Sequence, residues 1–76
     1  MPKARPVTPE ECERVALFLR FQFKNQVGSH KHFKKEGVGK VTIPQYKEIS
    51  GDLFRWICRQ LKISKKKFFE ILENYC

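Results

Sequence analysis

At 76 residues the chain suits one domain, close to the lower size at which a single hydrophobic core supports folding without metals or disulfides. Sixteen Lys and Arg against eight Asp and Glu leave a net charge of +8. That charge favours a phosphate backbone, an anionic membrane surface or an acidic protein as partner, and alone it selects none of them.

No apolar run reaches the ~20 residues of a transmembrane helix, and the N-terminus lacks the apolar centre of a signal peptide, so a soluble cytoplasmic protein without membrane contact is expected. Cys12, Cys58 and Cys76 form no C-x-x-C pair and fall in helical stretches. They are expected to be small apolar fillers, with no metal site, no disulfide framework and no cofactor.

Residues 1–7 carry two prolines and two basic residues without an apolar pattern, and are expected to form a loose arm. Thr8 then starts a helix sharply: Pro9 fits the first helical position, and Glu11 stands where a capping box requires it. Cys12, Val15, Ala16 and Leu19 give that helix a core-facing stripe. At Phe21 the period changes from 3.6 to 2. Phe21, Phe23 and Val27 alternate with Gln22, Lys24 and Gln26, which predicts a strand with one apolar and one polar face.

Gly28-Ser29 breaks the strand, since glycine lets the backbone turn and the serine can hydrogen-bond locally. His30 to Lys35 reads as a second strand, Glu36-Gly37-Val38-Gly39 as a turn, and Lys40 to Ile43 as a third strand that Pro44 ends or holds at an edge. Leu53, Phe54, Ile57, Cys58 and Leu61 stripe a second helix, with Ser50 or Asp52 as its cap. Ser64 opens a last helix with Phe68, Phe69, Ile71, Leu72 and Tyr75 turned inward.

The order predicts an α+β fold: a helix, a three-stranded antiparallel sheet, then two helices, with all helices on one face of the sheet. By alternation the opposite face carries Gln22, Lys24 and Gln26 from the first strand and His30, His32 and Lys34 from the second. That face is polar and cationic.

Gly28-Ser29-His30, Phe33, the turn glycines, Val41-Thr42-Ile43-Pro44, Lys47-Glu48-Ile49, and Arg55 through Ile57-Cys58-Arg59-Gln60 to Ile63-Ser64 together resemble the HicA family of small mRNA-interferase toxins. The resemblance spans about Thr8 to Leu72. It implies a double-stranded-RNA-binding-domain-like fold, a single HicA-like domain over residues 1–76, and a ribosome-independent endoribonuclease with His30 as catalytic residue. RNA would be the substrate and a HicB-like antitoxin covering His30 the partner. Two departures stand out. Arg20 occupies a position where the family often has glycine, and Tyr46 one where a histidine often follows the proline. The loop after Pro44 is also shorter, and Asp52-Leu53 replaces a usual Gly-Thr.

RNA cleavage without a metal needs a base for the ribose 2′-OH and an acid for the leaving 5′-oxygen, tasks suited to imidazole, which titrates between pH 5 and 8 when unperturbed. The residues alone leave His30 open between this role and that of an exposed histidine in a basic hairpin. Lys31, Lys34 and Lys35 are expected beside it to hold phosphate, with Lys24, Gln26 and Lys40 completing the RNA contacts. His32 is a possible second catalytic group on the same face, and Ser29 an orienting neighbour rather than a nucleophile. A non-catalytic RNA-binding module of the same fold is the alternative. Lys65-Lys66-Lys67 reads as solvated charge or a partner contact, and Trp56 as an outlying core residue or a partner contact.

Overall fold

A computed structural model describes residues 6–75. Helix α1 (Pro9–Phe18) is followed by β1 (Gln22–Val27), β2 (His30–Lys35), β3 (Gly39–Pro44), α2 (Gly51–Leu61) and α3 (Lys65–Tyr75). The strands form an antiparallel meander in the order β1-β2-β3, with β2 central. Phe33, Val41 and Ile43 of the sheet join Cys12, Val15, Ala16, Phe54, Ile57, Phe68 and Ile71 of the helices in one buried core, as an α+β sheet covered on one face requires. Phe54 and Phe68 meet edge to face at 4.9 Å between ring centroids, a geometry that adds about 0.5–1.5 kcal/mol to their burial.

The helix starts follow from their caps. The Thr8 hydroxyl accepts from the Glu11 N–H at 3.2 Å while the Glu11 carboxylate accepts from the Thr8 N–H at 2.9 Å, so two otherwise orphaned donors are satisfied. Ser64 caps α3 by accepting from the Lys67 N–H at 3.1 Å. Ser50 occupies the cap position of α2, but its side chain makes no capping bond there.

The ends of α1 and α2 each use an unusual residue. After α1 the Phe21 N–H reaches the Ala16 carbonyl and the Arg20 N–H the Leu17 carbonyl; after α2 Ile63 and Lys62 repeat this with Cys58 and Arg59. These paired bonds are those of a Schellman turn, whose left-handed residue is ordinarily glycine. Here the positions are held by Arg20, at φ +75°, and Lys62, at φ +64°. The departure at Arg20 therefore falls on a backbone conformation that an L side chain adopts only at a cost.

Three expectations need correction. Val7 does not belong to a loose arm: it is buried, and its N–H and carbonyl pair with those of Ile49, tying the chain ahead of α1 to the segment ahead of α2. Residues 1–5 lie outside the described residues, as does Cys76. Strand β1 has no buried face, because all six of its residues are exposed and only Phe21, just ahead of it, enters the core. Tyr75 does not turn inward; it is 63% exposed and stacks on Phe18 at 5.0 Å.

The third strand is one residue longer at each end than the sequence pattern indicates, running from Gly39 to Pro44, with Pro44 at the end of an edge strand where its missing N–H is tolerated. One outward N–H of β3 is met from α2: the Gln60 side-chain carbonyl accepts from the Thr42 N–H at 3.4 Å. Such a contact removes one edge donor from pairing with another chain.

Candidate functional site

The hairpin between β1 and β2 turns on two residues. Val27 pairs with His30, and Gly28 takes φ +59°, a left-handed value suited to glycine at the first central position of a two-residue turn. His30 is thus the first residue of the central strand, opposite Val27 on one side and Pro44 on the other. Cross-strand partners share a face. The register gives His30–Pro44, His32–Thr42 and Lys34–Lys40 on one face, and Lys31–Ile43, Phe33–Val41 and Lys35–Gly39 on the other. Buried Phe33, Val41 and Ile43 identify the second face as the helix-covered one.

Strand β1 breaks its alternation. Phe23 pairs with Phe33, but Asn25 pairs with His32, leaving Lys24 as the extra residue of a bulge. Lys24 and Asn25 together oppose His32, after which the parity is reversed. Gln26 is therefore opposite Lys31 on the helix side, and Val27 is opposite His30 on the open side. The expectation that Gln26 shares a face with His30 and His32 fails for this reason.

The lysines divide in the same way. Lys31 points toward α1 and forms an ion pair with Glu13 at 3.3 Å, while the Lys35 ammonium lies 5.9 Å above the Phe21 ring. Both are on the face opposite His30, so the expected cluster of Lys31, Lys34 and Lys35 around one imidazole is not formed. Lys34 and Lys40 stay on the open face as a cross-strand pair of like charge, joined there by Lys24 at the bulge. Gln22, Phe23, Lys24, Lys34 and Glu36 line a shallow groove of about 260 Å³ at that end of the sheet.

His30 and His32 do share the open face. Their Cα atoms are two residues apart on a strand, ~6.6 Å by strand rise. His32 Nδ1 is 3.1 Å from the Thr42 hydroxyl, within a cross-strand pair. A hydroxyl both donates and accepts, so Thr42 can hold His32 in either protonation state and leaves Nε2 free for other contacts.

His30 meets Tyr46, with ring centroids 6.3 Å apart and planes at 71°. Tyr46 was visible in the sequence only as a replacement; its place beside His30 follows from the register, which brings Pro44 opposite His30 and leads the chain past it. Ser29 contributes through its main chain, its carbonyl accepting from the Gln45 N–H at 2.6 Å. That bond fastens the segment carrying Tyr46 to the turn carrying His30.

The cysteines take no part. Burial pushes the Cys12 thiol up to about 12, with Cys58 as the next contributor, and burial pushes Cys58 up to about 11. A thiol so held stays protonated at neutral pH in the absence of a metal and is a poor nucleophile. Among the described residues no group of three or more His, Cys, Asp or Glu side chains is gathered where it could hold a metal ion, and no helix is long and apolar enough to cross a membrane.

The family model described as HicA toxin of bacterial toxin-antitoxin matches residues 9–63, from the start of α1 through all three strands to just past α2. The chain belongs to the HicA toxin family. Membership gives it a toxin function and an antitoxin as counterpart. Its helix, three-stranded sheet and paired helices are consistent with a HicA fold of the double-stranded-RNA-binding-domain type. No curated protein matches the chain.

Proposed function

We propose that this HicA chain is an mRNA-cleaving endoribonuclease acting by histidine acid-base chemistry on the open face of its sheet. The observation that supports this best is the position of His30: first residue of the central strand, on the face the helices leave uncovered, with His32 two residues along it.

In the proposed reaction neutral His30 takes the proton of a ribose 2′-OH, whose oxygen attacks the adjacent phosphorus. The bond from phosphorus to the 5′-oxygen breaks, and the leaving oxygen receives a proton from His32 Nε2. The products are a 2′,3′-cyclic phosphate and a 5′-hydroxyl. With His32 protonated, Nδ1–H donates to the Thr42 hydroxyl, an arrangement that orients the acid. Lys34, Lys40 and Lys24 supply charge for the phosphates, and no metal or cofactor enters a step. Lys31, Lys35 and Gln26 are assigned no RNA contact. Ser29 positions the turn, and Gly28 permits it.

The antitoxin, by this reading a HicB-like protein, inhibits by covering His30. Cleavage is independent of the ribosome and takes place in the cytoplasm.

Incubating the purified protein with mRNA in EDTA should release fragments with cyclic-phosphate and 5′-hydroxyl ends, while His30→Ala should lower the rate by at least ~10²-fold with an unchanged melting temperature. Intact RNA with the wild type, or equal cleavage by the variant, would overturn the proposal. RNA binding without cleavage would instead leave a binding module.

A further inference from the structure

We infer that Tyr46 is a stacking platform for one unpaired nucleobase beside the bond to be cut, and so a positioning residue for the RNA strand at His30. The inference rests on the ribonuclease reading of His30.

Tyr46 is 51% exposed and lies outside the buried core. A large aromatic side chain left half in water on an otherwise loosely anchored loop would be ordinary surface. Here the backbone leading to it is held in place. Pro44 ahead of it is buried and fixes its own φ, the Gln45 N–H is bonded to the Ser29 carbonyl at 2.6 Å, and the Gln45 side chain donates to the Ile43 carbonyl at 3.0 Å. These bonds hold the backbone next to Tyr46 to the turn that carries His30, and the two rings lie 6.3 Å apart at 71°.

An edge-to-face pair of this kind uses only part of the two rings, and about half of the tyrosine is exposed to solvent. The site chemistry names that ligand. A ribose whose 2′-OH reaches His30 carries a base within one nucleotide of the imidazole, and an exposed aromatic ring there offers a stacking face that any base can use. A base in a duplex already has both faces occupied, and the bases of an A-form helix lie in a stack that side chains do not enter. Only an unpaired, splayed nucleotide can place its phosphate at His30 and its base on Tyr46. The bulged end of the sheet, with Lys24, Lys34 and Lys40, then receives the continuing backbone.

The test uses a 2′-O-methyl RNA oligonucleotide, which binds but cannot be cut, carrying 2-aminopurine, whose fluorescence falls on stacking. Wild type and Tyr46→Phe should bind it with Kd values within about twofold of each other and quench the probe. Tyr46→Ala should bind ~10-fold more weakly and lose the quench. Annealing the oligonucleotide to its complement should remove the difference between Phe and Ala variants. Equal binding and quenching by wild type and Tyr46→Ala would overturn the inference while leaving His30 chemistry standing. A Tyr46→Phe variant as weak as Tyr46→Ala would also overturn it, since the hydroxyl and not the ring would then be the contact. Failure of the wild type to bind any RNA would overturn both this inference and the ribonuclease reading.

Discussion

Strand β2 presents two chemistries at alternate residues. On its helix side Lys31, Phe33 and Lys35 are spent on the fold: one ammonium meets Glu13, one lies over the Phe21 ring, and the phenyl group is buried. On its open side Lys34 is exposed, while half-buried His30 meets the Tyr46 ring and half-buried His32 meets the Thr42 hydroxyl, neither tied to the helix-side core. The same six residues thus include three that hold the scaffold and three on the opposite face that the proposed chemistry uses. A run of basic residues in a strand says little about binding until the parity of each is known, because a one-residue change of register exchanges the two sets.

The largest test of this division, beyond the loss expected for His30→Ala, is made at His32. If His32 is the acid, His32→Ala should slow cleavage by ~10²-fold and turn a bell-shaped pH profile into one with a single limb. Normal cleavage with an unchanged profile would return His32 to ordinary surface and leave water or a lysine as donor to the 5′-oxygen. A smaller effect separates the lysines. Lys34→Ala should weaken RNA binding at low salt and reduce the slope of log K against log salt by about one phosphate contact, ~0.7 for a single strand. Lys31→Ala should leave that slope unchanged and cost at most ~1 kcal/mol of stability through its partly exposed ion pair with Glu13. A slope that moves with Lys31 and not with Lys34 would reverse the two faces.

The sequence carried the elements and the fold because their signals are local. The Thr8-Pro9-Glu11 cap, the stripes of α1 and α2, and the Gly28 turn each depend on residues within a few positions of one another. It also carried the place of His30 as the first residue of β2, since the turn fixes where that strand begins. What it missed depends on pairing across the chain. The bulge at Lys24 leaves the composition of β1 unchanged and yet moves Gln26 to the other face, and nothing local marks it. Val7 is a lone apolar residue between two basic or proline-rich neighbours, and only Ile49, far along the chain, explains its burial. Tyr46 is similar. Its place beside His30 depends on His30 and Pro44 being opposite each other, which a strand register decides and a residue pattern does not.

The smallest predicted effect bears on whether scaffold and site are separable at all. Arg20 is held at φ +75° by the two bonds that end α1, and a side chain in this region costs ~1–2 kcal/mol that glycine does not incur. Glycine also gains freedom in the unfolded chain, which offsets part of the benefit, so Arg20→Gly should stabilise the protein by about 0.5–1 kcal/mol net. In a domain of this size that corresponds to a rise of a few degrees in Tm, ~4–8 °C per kcal/mol, measurable by thermal unfolding. Arg20 lies on the turn that delivers Phe21 to the core, away from the face of His30, His32 and Lys34. Cleavage per folded molecule should therefore be the same in the variant, and the salt slope of RNA binding should not move. A drop in both would mean that the strained residue is retained for its charge, placing one RNA contact on the helix side and breaking the division between the two faces of β2.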